Sequence, residues 1–194
     1  MSESDAKVVD LDGTPAQATL LAERLADWLL DEGIVEPNPQ RDALWQPSEW
    51  VPGPHWRKAV AEPRDAELRD GGHSWHDRTS WVGFANRGVD LITERRVHDP
   101  GGNFESPPCP ICRTPADFDR YVELIEVWLD GPEPRLLCSR CRSECLIGDW
   151  RWRFGFAVGN FAVRFNNWPI LDDAFVDEIA RLLSGRWTLI LGHY

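Results

Sequence analysis

The sequence has no basic excess, no long apolar run and almost no methionine, and each shortage removes a class of protein. Acids outnumber bases 32 to 21, for a net charge of −11. A general nucleic-acid coat needs a basic surface to neutralise phosphate, so that class is excluded. No stretch reaches the ~18 apolar residues of a membrane span. Residues Met1 to Gln17 are acidic and polar, with neither the basic start nor the apolar centre of a secretory leader. The expectation is a cytoplasmic protein with no membrane partner. The motifs G-x-x-x-x-G-K-[ST], G-x-G-x-x-G, G-x-S-x-G and H-E-x-x-H do not occur, so the commonest nucleotide, hydrolase and metalloprotease signatures are missing. No internal repeat at fixed period stands out. Cysteine is absent outside the span 109–145.

What is present is a globular composition: 194 residues, 42% apolar and 27% charged, enough for one ordinary domain. One Met stands against 11 Trp, a residue suited to cores and to interface anchors. The charge is uneven. Residues 1–92 carry 17 acids and 9 bases, whereas residues 93–165 carry 11 and 10. The acidic first third suits a basic partner, or simply keeps the chain soluble.

Local patterns outline the elements. Residues 1–14 read as a flexible tail, and 15–194 as a single domain. Thr14-Pro15 caps a helix whose Leu21, Leu25, Trp28 and Leu29 form one stripe, closed by Gly33. Residues 37–80 are Pro-rich, with Trp45, Trp50, Trp56 and Trp75 expected to dock on the core, and a short helix over Ala59 to Arg69. Ser80 to Ala85 and Val89 to Val97 read as a hairpin about Asn86-Arg87-Gly88. Asp117 to Asp130 is helical, and Leu136-Leu137 is a short strand. Phe154 to Phe165 is strand-like, bent at Gly155 and Gly159. The end reads as β-α-β. Its strand is Phe161 to Phe165. Its helix is capped by Asp172 or Asp173, with Phe175, Val176, Ile179, Leu182 and Leu183 inside and Gly185 at its end. Its closing strand is Trp187 to Leu191.

Chemistry concentrates in the cysteines. Cys109-Pro110-Ile111-Cys112 and Cys138-Ser139-Arg140-Cys141 are two C-x2-C pairs, and two such turns close a tetrahedron of thiolates around Zn²⁺, with iron the second choice. Four thiolates leave no open position, so the ion is structural. Disulfides fit poorly with a cytoplasmic chain and an odd cysteine count, and thioredoxin-like redox chemistry fits less well still. Cys145 is left over, either a free buried thiol, a replacement ligand or a redox-sensing thiol whose pKa Arg140 and Arg142 lower. Residues 105–147 resemble a zinc ribbon, the rubredoxin-like pair of four-cysteine knuckles, although a helix between the knuckles departs from the all-β form. Asn167-Trp168-Pro169 and Gly192-His193 make the end of the chain similar to that of uncharacterised bacterial proteins, a resemblance that implies no activity.

Weaker signals have ordinary readings. His73-x2-His76 with Asp77 starts a second metal site or is solvated. Asp31/Glu32 and Asp172/Asp173 sit at helix ends, the first pair solvated and the second a cap. In Trp150-Arg151-Trp152-Arg153-Phe154, alternation puts aromatics on one face and arginines on the other. That is a half-buried strand, or a stacking surface for nucleic acid.

The expected fold is α+β: a mixed sheet with two or three helices, a C-terminal β-α-β unit and an inserted zinc ribbon at about 105–147. The expected function is a non-enzymatic, zinc-stapled protein-interaction module, in its specific form an immunity or antitoxin-like protein that neutralises a basic effector. The alternative is a nucleic-acid-associated ribbon acting through Arg140, Arg142, Arg151 and Arg153, and an enzyme with an unread pocket is the third class. The expected metal ligands are Cys109, Cys112, Cys138 and Cys141.

Overall fold

The computed structural model describes residues 3–42, 47–61 and 86–194. A six-stranded sheet in the order β10-β1-β9-β4-β3-β2 carries a buried cluster on each face, one of them covering only part of its face. Its strands are β1 (Ser4–Asp10), β2 (Val35–Pro37), β3 (Trp50–Pro52), β4 (Gly88–Ile92), β9 (Phe161–Asn166) and β10 (Trp187–His193). Two small ladders pair β5 (Arg96–His98) with β8 (Ala157–Gly159), and β6 (Arg135–Leu137) with β7 (Glu144–Leu146). Among the described residues the helices are α1 (Pro15–Asp31), α2 (Phe118–Asp130) and α3 (Asp173–Leu182). The fold is therefore α+β. The expected mixed sheet is mostly antiparallel: among the described residues every ladder is antiparallel, and Gly101 with His193 makes an isolated parallel bridge.

The largest correction concerns the amino terminus. Residues 4–10 are not a tail but an interior strand, hydrogen-bonded to β10 on one side and β9 on the other. The two strands of the C-terminal β-α-β unit are thus near-neighbours, parallel to each other with β1 between them. The reason is burial on two sides. Val8 enters the core under α1 and α3, and its neighbour Val9 enters the core on the opposite face. Two-sided burial erases the period-2 signal by which a half-exposed strand is recognised.

Caps behave as the residue types dictate. Thr14 and Gln17 form a reciprocal capping box on α1, and Gly33 takes φ +66° just after it. Asp117 caps α2, and Asp172 caps α3 by accepting from Ala174 and Phe175. α1 and α3 cover one face with Leu21, Leu25, Leu29, Phe175, Val176 and Ile179 against Val163 and Phe165. α2 covers part of the other face with Tyr121, Leu124, Ile125 and Trp128, meeting Val9, Ala162 and Ile190.

Other expectations need adjustment. Val89 to Val97 is not one strand; it splits into β4 and β5, which join different sheets. Phe154 to Phe165 likewise breaks at Asn160, whose side chain donates to Gly13 O at 2.7 Å. Residues 150–154 form no strand, yet the faces alternate as read: Trp150 is buried, Trp152 and Phe154 are half-buried, and Arg151 and Arg153 are exposed. Trp56 docks into the core and Trp50 packs against it. Trp45, Trp75, the strand Ser80 to Ala85, the His73/His76/Asp77 cluster and most of the helix Ala59 to Arg69 lie outside the described residues. Among the described residues, no helix is long and apolar enough to cross a membrane.

Candidate metal centre

The two C-x2-C pairs fold into the same turn twice. In the first, Cys109 N–H donates to Thr114 O (2.8 Å) and Arg113 N–H donates to Cys109 O (3.0 Å). In the second, Cys138 N–H donates to Ser143 O (2.9 Å) and Arg142 N–H donates to Cys138 O (3.1 Å). Arg113 and Arg142 both stand at φ 62°, a left-handed conformation that an L-residue adopts only at a cost. Each turn is rooted in a pair of bridged residues, Pro108 with Pro115 and Leu137 with Glu144. Both turns are spelled C-x-x-C-R-[ST]. That repeat escapes a search for long periods because it is six residues long and occurs twice.

The four sulfurs converge. Their Sγ atoms all lie within 4.8 Å of one another. Across the knuckles, Cys109 and Cys141 are 3.8 Å apart, and Cys112 and Cys138 are 3.5 Å apart. A tetrahedral metal with bonds of ~2.3 Å to sulfur sets its ligands about 3.8 Å apart. A disulfide requires ~2.05 Å. The donor set therefore fits a four-thiolate metal site, and all four predicted ligands are in it. Cys145 is not; it sits on β7 opposite Leu136, half-buried against the α2 core.

Local hydrogen bonds begin the work of ionisation. The Thr114 hydroxyl, 3.3 Å from Cys112 Sγ, holds that thiol down to about 6. Ser143, at the equivalent position, lowers Cys141. The backbone N–H of Cys141 favours a Cys138 thiolate. Burial and the neighbouring thiols of Cys112 and Cys141 outweigh it and push Cys138 up to about 11. Thiols this close cannot all ionise unless a cation shares their charge.

The centre is built into the core. Cys109 and Cys138 are buried among Ala116, Leu136 and Ile147, in the same cluster as Val9 and Ile190 of the sheet. A second tie is ionic. Arg186, next to β10, holds Asp12 (2.7 Å), Glu133 (2.6 Å) and Asp149 (3.1 Å), joining the β1–α1 turn to the segment that carries the second knuckle. The predicted basic patch is only partly assembled: Arg151 and Arg153 share a groove of ≈ 420 Å³ with Arg113 and Trp152. Asp173 and Asp177 line the same groove, and Asp173 lies 3.4 Å from Arg153. Asp31 is exposed, and Glu32 pairs with Lys58 at 3.0 Å at the surface. No protein-family model, curated protein or solved structure matches this chain.

Proposed function

We propose that the chain is a zinc-stapled protein-interaction module. The observation that carries the metal half is the convergence of four thiols on two matching knuckles within 4.8 Å. Soft sulfur donors in a closed tetrahedron favour zinc and leave no site for water, so the ion holds structure. When bound, it supplies a cross-link between segments 109–112 and 138–141. The arginines that follow each pair add positive charge beside a centre whose four thiolates exceed the dication's charge by two.

The interaction half is supported by apolar residues left outside. Ile111, within the first knuckle, is 64% exposed; Phe118, in the first turn of α2, is 51% exposed; Leu137, at the root of the second, is 44% exposed. Exposed apolar residues on a rigid frame serve as interface anchors. The net charge of −11 suits a basic protein partner, the chemistry that an immunity or antitoxin-like protein meets. The nucleic-acid reading draws on Arg113, Arg151, Arg153 and Trp152 in one groove, but the two aspartates there oppose phosphate.

One experiment separates these. Protein prepared without added metal is analysed for zinc and captured with its partners, alongside Ile111→Ser/Leu137→Ser and Arg151→Ala/Arg153→Ala variants. The reading predicts one zinc per chain and a protein partner lost only with the apolar pair. A nuclease-sensitive partner lost with the arginines, and weakening by a salt slope of roughly 0.9 per phosphate, would overturn it.

A further inference from the structure

The face of the sheet that carries the metal module is only half covered by apolar packing. Register shows where it changes. One row across the strands is Ile92, Ala162 and Val9, all in or against the α2 core. The next row is Asp90, Arg164 and Lys7, and the one after is Asn166, Asp5 and Gly192. Charged residues thus pave adjacent interior strands. Lys7 and Asp5 have side chains only 6% and 7% exposed, 2.9 Å apart. Burying such groups is costly and adds little to stability that apolar residues would not add.

Above this floor is a cavity of ≈ 510 Å³, a size ordinary for small-molecule sites. Asp5, Lys7, Arg164, Arg96, His98 and Tyr194 are among its walls. Lys7 is fully used: it pairs with Asp5 and donates to Asp99 O (2.8 Å) and Tyr194 Oη (2.7 Å). Gly192 belongs to the design, since a Cβ there would run into Asp5 Oδ1.

Two buried atoms on residues lining this cavity have no hydrogen-bond partner, His98 Nε2 and Arg164 Nε, whereas Asp5 Oδ1 is held by Lys7 Nζ at 2.9 Å. Such atoms are rare in folded proteins and call for an explanation. Their chemistry is specific. Arg164 Nε only donates, and the nitrogen of a neutral His98 either donates or accepts. The ring stays neutral because burial, before any neighbouring charge, lowers its pKa to about 3. Formal charges along the lining balance, with Glu3, Asp5 and Asp99 against Lys7, Arg96 and Arg164. A simple anion or cation therefore has no net attraction here. The complement is a neutral molecule that offers an acceptor to Arg164 and a donor or an acceptor to His98.

We propose that this cavity binds a small net-neutral molecule carrying both hydrogen-bond acceptors and donors, the chemistry shared by zwitterionic amino acids and by nucleosides. The site is independent of the metal centre.

The test follows the ¹⁵N resonances of the His98 ring in the intact protein during titration to millimolar concentrations. The probes are serine and glutamine, then uridine and adenosine, with inorganic phosphate and citrate as anionic controls. Saturable movement of the His98 signals by one of the two neutral classes is expected. Arg164→Lys keeps the charge but removes Nε, and is expected to weaken binding about tenfold. Arg96→Glu, at an exposed position, distinguishes the sources: it weakens an amino acid, which brings a carboxylate, and spares a nucleoside. No saturable response from either class, a response to the anions alone, or binding that leaves His98 unmoved overturns the proposal. The His98 readout on the unmodified chain stands even if Arg164→Lys fails to fold.

Discussion

The two faces of the sheet are held by different means. The α1/α3 face is closed by helices whose apolar stripes are regular and whose ends are capped, and its buried cluster is hydrocarbon and aromatic throughout. The α2 face is closed by one helix, two short knuckles and a three-residue hairpin, with two cysteines in its cluster. Segments that short bury too little to order themselves, and in the proposed reading a metal cross-link does there what hydrophobic area does on the other side. The proposed metal thus sits where the chain makes few regular elements, and the sheet shared by both faces makes the difference testable.

The largest expected effect is loss of the metal. Zinc in finger peptides contributes ~10–16 kcal/mol of apparent binding free energy. Cys138→Ser, or chelation, is expected to open residues 105–147 to amide exchange and protease while α1 and α3 stay protected. Equal loss on both faces would break the comparison. Next is Phe165→Ala on the other face. Phe165 is fully buried, 5.2 Å from the Trp168 ring and 5.8 Å from that of Phe175. Its truncation is expected to cost about 3–5 kcal/mol and to lower protection on both faces together in denaturant titration, because it cuts the common sheet.

The third concerns the polar end of the α2 face. Burial, reinforced by Arg96 and Lys7, takes His98 from an ordinary 6.5 to about 3. The unfolded chain takes up this proton first. Stability from the neutral ring is therefore complete above pH 6.5 and lost progressively as pH falls towards about 3. His98→Gln is expected to flatten urea-unfolding stability across that window. The fourth sharpens the ionic tie. Burial alone would raise the Asp12 carboxyl, yet the hydrogen bonds from Arg186 hold it below the usual range. The contribution is present above the ordinary carboxylate pKa and fades as pH drops through the lowered one. Arg186→Met is expected to cost about 1–3 kcal/mol at neutral pH, with the gap to the parent closing in acid. The smallest effect is at the knuckles. Arg113→Gly and Arg142→Gly each relieve a positive φ and are expected to add about 0.5–1 kcal/mol, read as a rise in melting temperature.

Much of the centre was legible in advance, because metal ligation writes itself locally. A C-x2-C spacing states which atoms meet and at what distance, whatever the rest of the chain does. Helix caps are local in the same way, so Thr14, and one of Asp172 and Asp173, could be assigned from their neighbours. The cavity was not legible. Asp5, Lys7, His98 and Arg164 are ordinary polar residues in sequence, and nothing about their spacing brings them together.

By itself, then, the sequence determined the four clustered cysteines, the three described helices and the α+β class, since each follows from contacts a few residues apart or from the geometry of the C-x2-C pairs. Tertiary structure alone decided that Ser4–Asp10 runs through the sheet, and that Asp5 and Lys7 serve a polar floor while Val8 and Val9 enter two different cores. The physical reason is range. A strand's partners supply its hydrogen bonds, and those of β1 come from residues 161–166 and 187–193, more than 150 positions away.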